Sequence, residues 1–160
     1  MARVYLETSI ISYLAAHPSR DLIVAANQQV TRDWWERRRR EFELSISELV
    51  IVEASKGDPD AAQRRLRLVA ELPVLEPVDS ATRLASALLG RKAVPSTSAP
   101  DALHIALAAA HGIDYLMTWN MAHILNAELR PRIESVCREE GFDPPVLCTP
   151  AELMGGPNVA

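Results

Sequence analysis

No stretch of this chain approaches the roughly 20 consecutive apolar residues that a membrane-spanning helix requires, so no such span is expected. Cysteine is scarce. Cys137 and Cys148 are the two present, with neither CxxC nor metal-site spacing, and a reducing compartment would leave them as buried thiols, not a disulfide. Glycine is scarce as well: the six in the chain form no GxGxxG and no GxxxxGKS/T pattern, which argues against a nucleotide-binding Rossmann or phosphate-loop domain. The GxSxG elbow of serine hydrolases is also missing. Positive charge is not in excess, since 17 Lys and Arg against 21 Asp and Glu leave a formal net charge of −4. A protein that binds nucleic acid by charge alone carries a basic footprint, so a passive binder is disfavoured; an enzyme whose carboxylates supply part of the negative balance is not. The N-terminus reads straight into an apolar strand, without the long apolar region of a signal peptide, and a cytoplasmic location is the expectation.

What is present is an ordinary globular composition, 48% apolar and 24% charged, without low-complexity tracts. The length suits one domain, expected over 1–154, followed by a short tail at 155–160. Strand and helix signals alternate. Arg3 to Leu6 reads as a strand and Ile10 to Ala15 as a brief helix; Ser19 opens a long helix with Leu22, Ile23, Ala26, Val30 and Trp34 on its apolar stripe. A second strand at Glu43 to Ile46 precedes a helix from Ser47 to Ser55, ended by Gly57, and Asp58-Pro59 starts the next helix. Pro73 to Glu76 suits a strand, and Asp79 caps a helix reaching Leu89; Gly90 to Pro100 is the longest loop. An alanine-rich helix at Asp101 to His111 ends at Gly112, and Tyr115 to Trp119 makes a fourth strand. A helix over Ala127 to Glu140, with Pro131 as a kink site, leads to a last strand at Pro145 to Cys148; Thr149-Pro150-Ala151-Glu152 then matches a capping box. This alternation predicts an α/β chain with a parallel sheet covered on both faces, whose ligand site lies beyond the carboxyl ends of the strands.

Three acids mark junctions between apolar segments and helix signals: Glu7, Glu53 and Asp101, with Asn120 at a fourth such junction. Carboxylates gathered at strand ends can hold Mg²⁺ or Mn²⁺, and the simplest chemistry of that arrangement is metal-assisted phosphodiester hydrolysis. Each residue also has a plainer reading. Glu7 can serve a helix N-terminus, Glu53 can pair with Lys56, and Asp101 can close a capping box with Ser98, as Glu48 can with Ser45. His104 reads as a core or supporting histidine, Asn120 as a loop or capping residue, and His123 as a phosphate contact, a proton shuttle or a surface residue.

The segments around these acids resemble the PIN domain family. Tyr5-Leu6-Glu7-Thr8-Ser9-Ile10-Ile11 is similar to its opening strand followed by Asp-Thr-Ser, and Ser47-Glu48-Leu49-Val50-Ile51-Val52-Glu53-Ala54 to its second motif. Asp101-Ala102-Leu103-His104-Ile105-Ala106-Leu107-Ala108 resembles the third, and Leu116-Met117-Thr118-Trp119-Asn120 the fourth. The resemblance runs from Val4 to Leu153 and departs at Glu7, where Asp is usual, and at Asn120, which removes a charge. It implies a three-layer α/β/α sandwich around about five parallel strands, and the activity of a Mg²⁺- or Mn²⁺-dependent ribonuclease, often the VapC-like toxin of a toxin–antitoxin pair.

On this reading Glu7, Glu53 and Asp101 hold one ion, Asn120 is a neutral ligand or water-positioner, and Thr8, Ser9, Ser47 and Thr118 hydrogen-bond around them. Crowding is expected to raise the pKa of one carboxylate. Substrate contacts are expected from Arg37, Arg38 and His123; the Arg32–Glu41 segment, five Arg against three acids, reads first as a solvated helix face, and otherwise as a nucleic-acid contact or a dock for an acidic antitoxin or a second copy. The alternative is a PIN-like module that binds RNA or protein without turnover.

Overall fold

A computed structural model describes residues 1–155 of the chain. Five short strands form one all-parallel sheet: β1 (Arg3–Leu6), β2 (Glu43–Ser47), β3 (Val74–Leu75), β4 (Tyr115–Met117) and β5 (Val146–Cys148), in the spatial order β3-β2-β1-β4-β5. Seven helices connect them. Helices α1 (Thr8–Ala15) and α2 (Leu22–Arg37) lie between β1 and β2, and α3 (Glu48–Ala54) and α4 (Pro59–Val69) between β2 and β3. Helices α5 (Asp79–Gly90) and α6 (Ala99–Ala110) precede β4, and α7 (Arg130–Glu139) precedes β5. The winding reverses at β1. Because parallel crossovers keep one hand, the reversal sends α1–α4 to one face and α5–α7 to the other. Packing agrees: α1 touches α2, α3 and α4, while α5 touches α6 and α7.

The α/β/α sandwich expected from the strand–helix alternation is therefore the observed one. Val4, Tyr5 and Leu6 of the central strand are all fully buried, as a strand covered on both faces requires. Local signals worked where the partner is a near neighbour. Asp58 accepts from the Ala61 amide with Pro59 at the helix start, and the Thr149–Glu152 capping box is present. Gly141 follows the C-cap of α7 at positive φ, and Gly57, two residues past the Ser55 C-cap of α3, turns the chain at positive φ toward Asp58, a conformation that costs glycine no steric penalty.

Other expectations fail for identifiable reasons. Helix α2 starts at Leu22, not Ser19, because Asp21 caps it through the Ile23 and Val24 amides. Leu22 and Ile23 stay 86% and 75% exposed; the face turned inward is Gln28, Thr31 and Trp34. Those polar residues are buried because they tie loops: Gln28 bonds Ser19 N–H and the His17 carbonyl, and Thr31 accepts the Trp119 indole N–H. Pro131 sits in the first turn of α7, where no amide is needed, so it kinks nothing. Neither the Ser45–Glu48 nor the Ser98–Asp101 box forms. Ser45 lies inside β2, its buried hydroxyl without a partner among the described residues, and Ser98 spends its hydroxyl on His123. Asp79 is in the first turn of α5, behind Val78 as N-cap. No described helix is long and apolar enough to cross a membrane. Of the tail expected at 155–160, residues 156–160 lie outside the described residues.

Cys137 and Cys148 are free and buried, and burial pushes their thiols up to about 11 and about 12. Since the thiolate is the reactive form, native protein should resist a thiol reagent at about pH 8, while denatured protein reacts at both positions at once. Prompt reaction of the native protein would contradict this burial.

Candidate metal centre

The chain leaves β1 and turns at once into α1, so Glu7 becomes the N-cap of that helix. Its amide donates to the Met117 carbonyl at 3.1 Å, which locks the end of β1 beside the end of β4. The strand order reverses between these two strands, so this is the crevice where α/β sheets place ligands. The Glu7 side chain is only 6% exposed. It accepts hydrogen bonds from the Ser9 amide at 3.1 Å, the Ser9 hydroxyl, and the Thr118 hydroxyl at 2.6 Å. Backbone donors set the direction: Ser9 Oγ accepts from Trp119 N–H at 2.8 Å and Thr118 Oγ1 from Asn120 N–H at 2.9 Å, leaving both hydroxyl protons for Glu7. All three bonds fall on Oε1. Among the described residues Oε2 receives none, so capping a helix and lining a site are compatible.

Glu53 reaches the same place from the last turn of α3. The Thr8 hydroxyl donates to it at 2.7 Å and His104 Nε2 lies 2.6 Å away, again both on Oε1. Lys56 forms no ion pair with it among the described residues and contributes only through its field. Burial alone would raise the Glu53 carboxyl. The hydrogen bonds from His104 and Thr8, with the field of Lys56, outweigh burial and hold the carboxyl below its ordinary range. At Glu53, therefore, donors dominate over the crowding expected to raise a carboxyl.

Ligand atoms of Glu7, Glu53 and His104 all lie within 4.8 Å of one another. Two ionised oxygens at such a separation repel by about 3–4 kcal/mol at an effective dielectric near 20, and a cation between them would relieve that repulsion. Hard oxygen donors with one unbonded oxygen each fit Mg²⁺ or Mn²⁺, which need few carboxylates and retain water. His104 fits less well as a ligand. It is fully buried and both ring nitrogens are taken, Nε2 by Glu53 and Nδ1 by the Tyr5 hydroxyl at 2.6 Å.

Asp101 stands in the first turn of α6 and does not join that group. Both its oxygens are engaged: Oδ1 accepts from the Asn120 amide at 3.1 Å, and Oδ2 lies 2.9 Å from His123 Nδ1. Asn120 Oδ1 accepts the His123 amide in turn. A continuous chain of bonds, Glu7–Thr118–Asn120–Asp101, nevertheless links the acids. Ser47, at the N-cap of α3, turns its hydroxyl away from the helix to Tyr5 at 2.7 Å. Arg37 and Arg38 lie where α2 ends and β2 is about to begin, which is the amino-terminal edge of the sheet, opposite the carboxylates. Arg38 is tied to the Leu153 carbonyl and to Glu41 and lies over the Phe42 ring. The residue missed from sequence is Tyr5. Its signal was a hydroxyl between Val4 and Leu6 in a buried strand, which burial obliges to find a partner.

A family model described as the PIN domain matches residues 4–120, more than half of the chain. The chain belongs to the PIN domain family. PIN domains are typically metal-dependent nucleases, and the Glu7–Glu53–His104 group fits that chemistry. Comparison with curated proteins gives no match. The PIN match ends at Asn120, so α7 and β5, which complete the sheet, lie beyond it.

Thr118 is fully buried and supplies one of the donors to Glu7. Thr118→Val should cost about 2 kcal/mol, the range for a hydrogen bond to a charged group, measured by urea unfolding in EDTA. A loss under about half a kcal/mol would mean that this hydroxyl does not support the carboxylate.

Proposed function

We propose that this PIN domain is a divalent-metal-dependent endoribonuclease. The observation that carries the reading is the pairing of Glu7 and Glu53 at the strand switch point, each pinned through Oε1 and each with Oε2 left for a cation. Glu7 and Glu53 would hold the ion, Mg²⁺ or Mn²⁺, with Asp101 beside them on the substrate side. When bound, such an ion supplies charge stabilisation at a phosphoryl oxygen and a water made nucleophilic at neutral pH.

The chain's own residues do the rest. Thr8, Ser9 and Thr118 orient the two glutamates by donating hydroxyl protons to them. His123 faces Asp101 and Ser98 with Nδ1, and its ring is 36% exposed, so Nε2 is the nitrogen available to a phosphate oxygen or a leaving group. The Trp119 ring, stacked on Tyr13 with centroids 5.9 Å apart, adjoins the acids through its backbone and offers an aromatic face to an unpaired base. RNA as the substrate, and a role as the toxin of a toxin–antitoxin pair with an antitoxin partner and a homodimeric state, rest on the motif resemblance to VapC-like proteins. Arg37 and Arg38, at the far edge, suit a partner better than the scissile bond.

One observation favours the second reading, a PIN-like module that binds RNA or protein without turnover. Asp101 is saturated by Asn120 and His123, where an aspartate at position 120 would have left it repelled and open.

Wild type, Glu53→Gln and Asp101→Asn should be incubated with single-stranded RNA in EDTA, Mg²⁺ or Mn²⁺. Wild type should cleave only with metal, and each substitution should lower cleavage by at least about 10²-fold, as loss of a group in or beside a metal site does. Binding of RNA that ignores both metal and substitutions, with no cleavage, would replace the enzyme by the binding module.

A further inference from the structure

A buried hydrogen-bond chain runs from the core to the metal centre: Ser47 Oγ to Tyr5 hydroxyl at 2.7 Å, Tyr5 hydroxyl to His104 Nδ1 at 2.6 Å, and His104 Nε2 to Glu53 Oε1 at 2.6 Å. We infer that Tyr5 and His104 are positioning residues that fix the Glu53 carboxylate for cation binding, with His104 acting as a donor to Glu53 and not as a ligand. The inference rests on the metal-dependent reading of the site.

With the His104 ring neutral, valence sets the direction of the chain. An ionised carboxylate only accepts, so His104 must present Nε2–H to Glu53. A neutral ring then has a lone pair at Nδ1, which takes the Tyr5 proton, and the Tyr5 oxygen is left to accept from Ser47. Every donor in the sequence has one target, and the proton order points toward Glu53.

Burial makes the chain hard to replace. Tyr5 and His104 are fully buried and Ser47 is 1% exposed, so water has little room to substitute for a lost partner. The chain also crosses the fold. It joins the central strand β1, the β2–α3 junction, and α6 on the opposite face to a carboxylate carried by α3. Helix α3 has seven residues, too few to hold shape by itself. A glutamate in its last turn therefore needs an external anchor, and Thr8 supplies the second one on the same oxygen. Pinning Oε1 twice is what leaves Oε2 as the oxygen for a cation. Histidines beside metal sites commonly act this way on the ligand rather than the metal.

The test uses metal-free protein first. Long-range ¹H–¹⁵N spectra should show His104 as the Nε2–H tautomer with Nδ1 hydrogen-bonded; the Nδ1–H tautomer would overturn the chain. Calorimetric Mn²⁺ binding is then compared for wild type, Tyr5→Phe, His104→Ala, His104→Gln and Glu53→Gln, with thermal unfolding of each in EDTA. Tyr5→Phe and His104→Ala should weaken binding about 10-fold or more. His104→Gln, whose amide can still donate to Glu53, should recover most of that loss, whatever its melting temperature does. Loss of Mn²⁺ by His104→Gln as complete as by Glu53→Gln would make His104 a ligand and sink the inference. Wild-type affinity in Tyr5→Phe and both His104 variants, with weak binding in Glu53→Gln, would reject the positioning role and leave the metal site standing. Undiminished binding by Glu53→Gln would overturn the site itself, and the inference with it. If His104→Ala fails to fold, Tyr5→Phe and His104→Gln decide.

Discussion

The junction of β1 with β4 is where the candidate site begins. One backbone bond, Glu7 N–H to the Met117 carbonyl, brings the two strand ends side by side, and both chains then turn away. The turning backbone leaves amides unused by the sheet. Those of Trp119 and Asn120 are taken by the hydroxyls of Ser9 and Thr118, which pass their own protons to Glu7. A carboxylate with almost no exposure is thereby solvated by protein, where unpaired burial would cost several kcal/mol. Small hydroxyls are suited to this because each can accept from the backbone and donate to an anion simultaneously. The extra methylene of Glu7, relative to the Asp expected at this junction, gives the carboxylate reach to fold back on its own helix start.

The same logic separates the acids into two kinds. Glu7 and Glu53 each concentrate their protein partners on one oxygen and keep the other. Asp101 spreads its partners over both. Asn120 is the cause, since its amide donates where a carboxylate would repel. The resulting arrangement suits one ion bound by two glutamates, and it assigns Asp101 and His123 to the neighbouring substrate side in the function proposed above. Asn120 does not simply subtract a charge; it converts a fourth acid into a clamp on the third.

Much of the fold was legible because its signals are local. The strand at Arg3–Leu6, the Asp58-Pro59 start and the Thr149–Glu152 box depend on residues within four positions of each other, and all formed. The pairing of Glu7 with Glu53 was legible at one remove, since an acid ending a parallel strand points to the ligand crevice. What could not be read was the choice among partners for a hydroxyl or an imidazole. Ser98 satisfies the capping-box pattern with Asp101, yet it bonds His123, 25 residues away. Ser47 could have capped α3 and instead bonds Tyr5, 42 residues back. Helix periodicity failed at Leu22 and Ile23 for a related reason: the inward face of α2 is claimed by Gln28 and Thr31, whose value lies in loops that periodicity does not encode.

These long-range choices have a common consequence for electrostatics. The chain is acidic overall and gathers glutamates at the strand switch point. Its arginines near the end of α2 lie at the opposite edge of the sheet, so they cannot offset that charge at short range. Among the described residues no ion pair reaches Glu7, and Glu53 is held ionised through donors and the field of Lys56. Hydrogen bonds to an anion stabilise it without cancelling its charge, so the pocket remains negative however well it is organised. Such a pocket repels phosphate until a divalent cation occupies it, and then attracts it. The hydroxyls and the buried chain through His104 therefore serve one end in the proposed function: they hold two carboxylates together, at the cost of mutual repulsion, so that cation binding is what makes the site able to receive a nucleic acid.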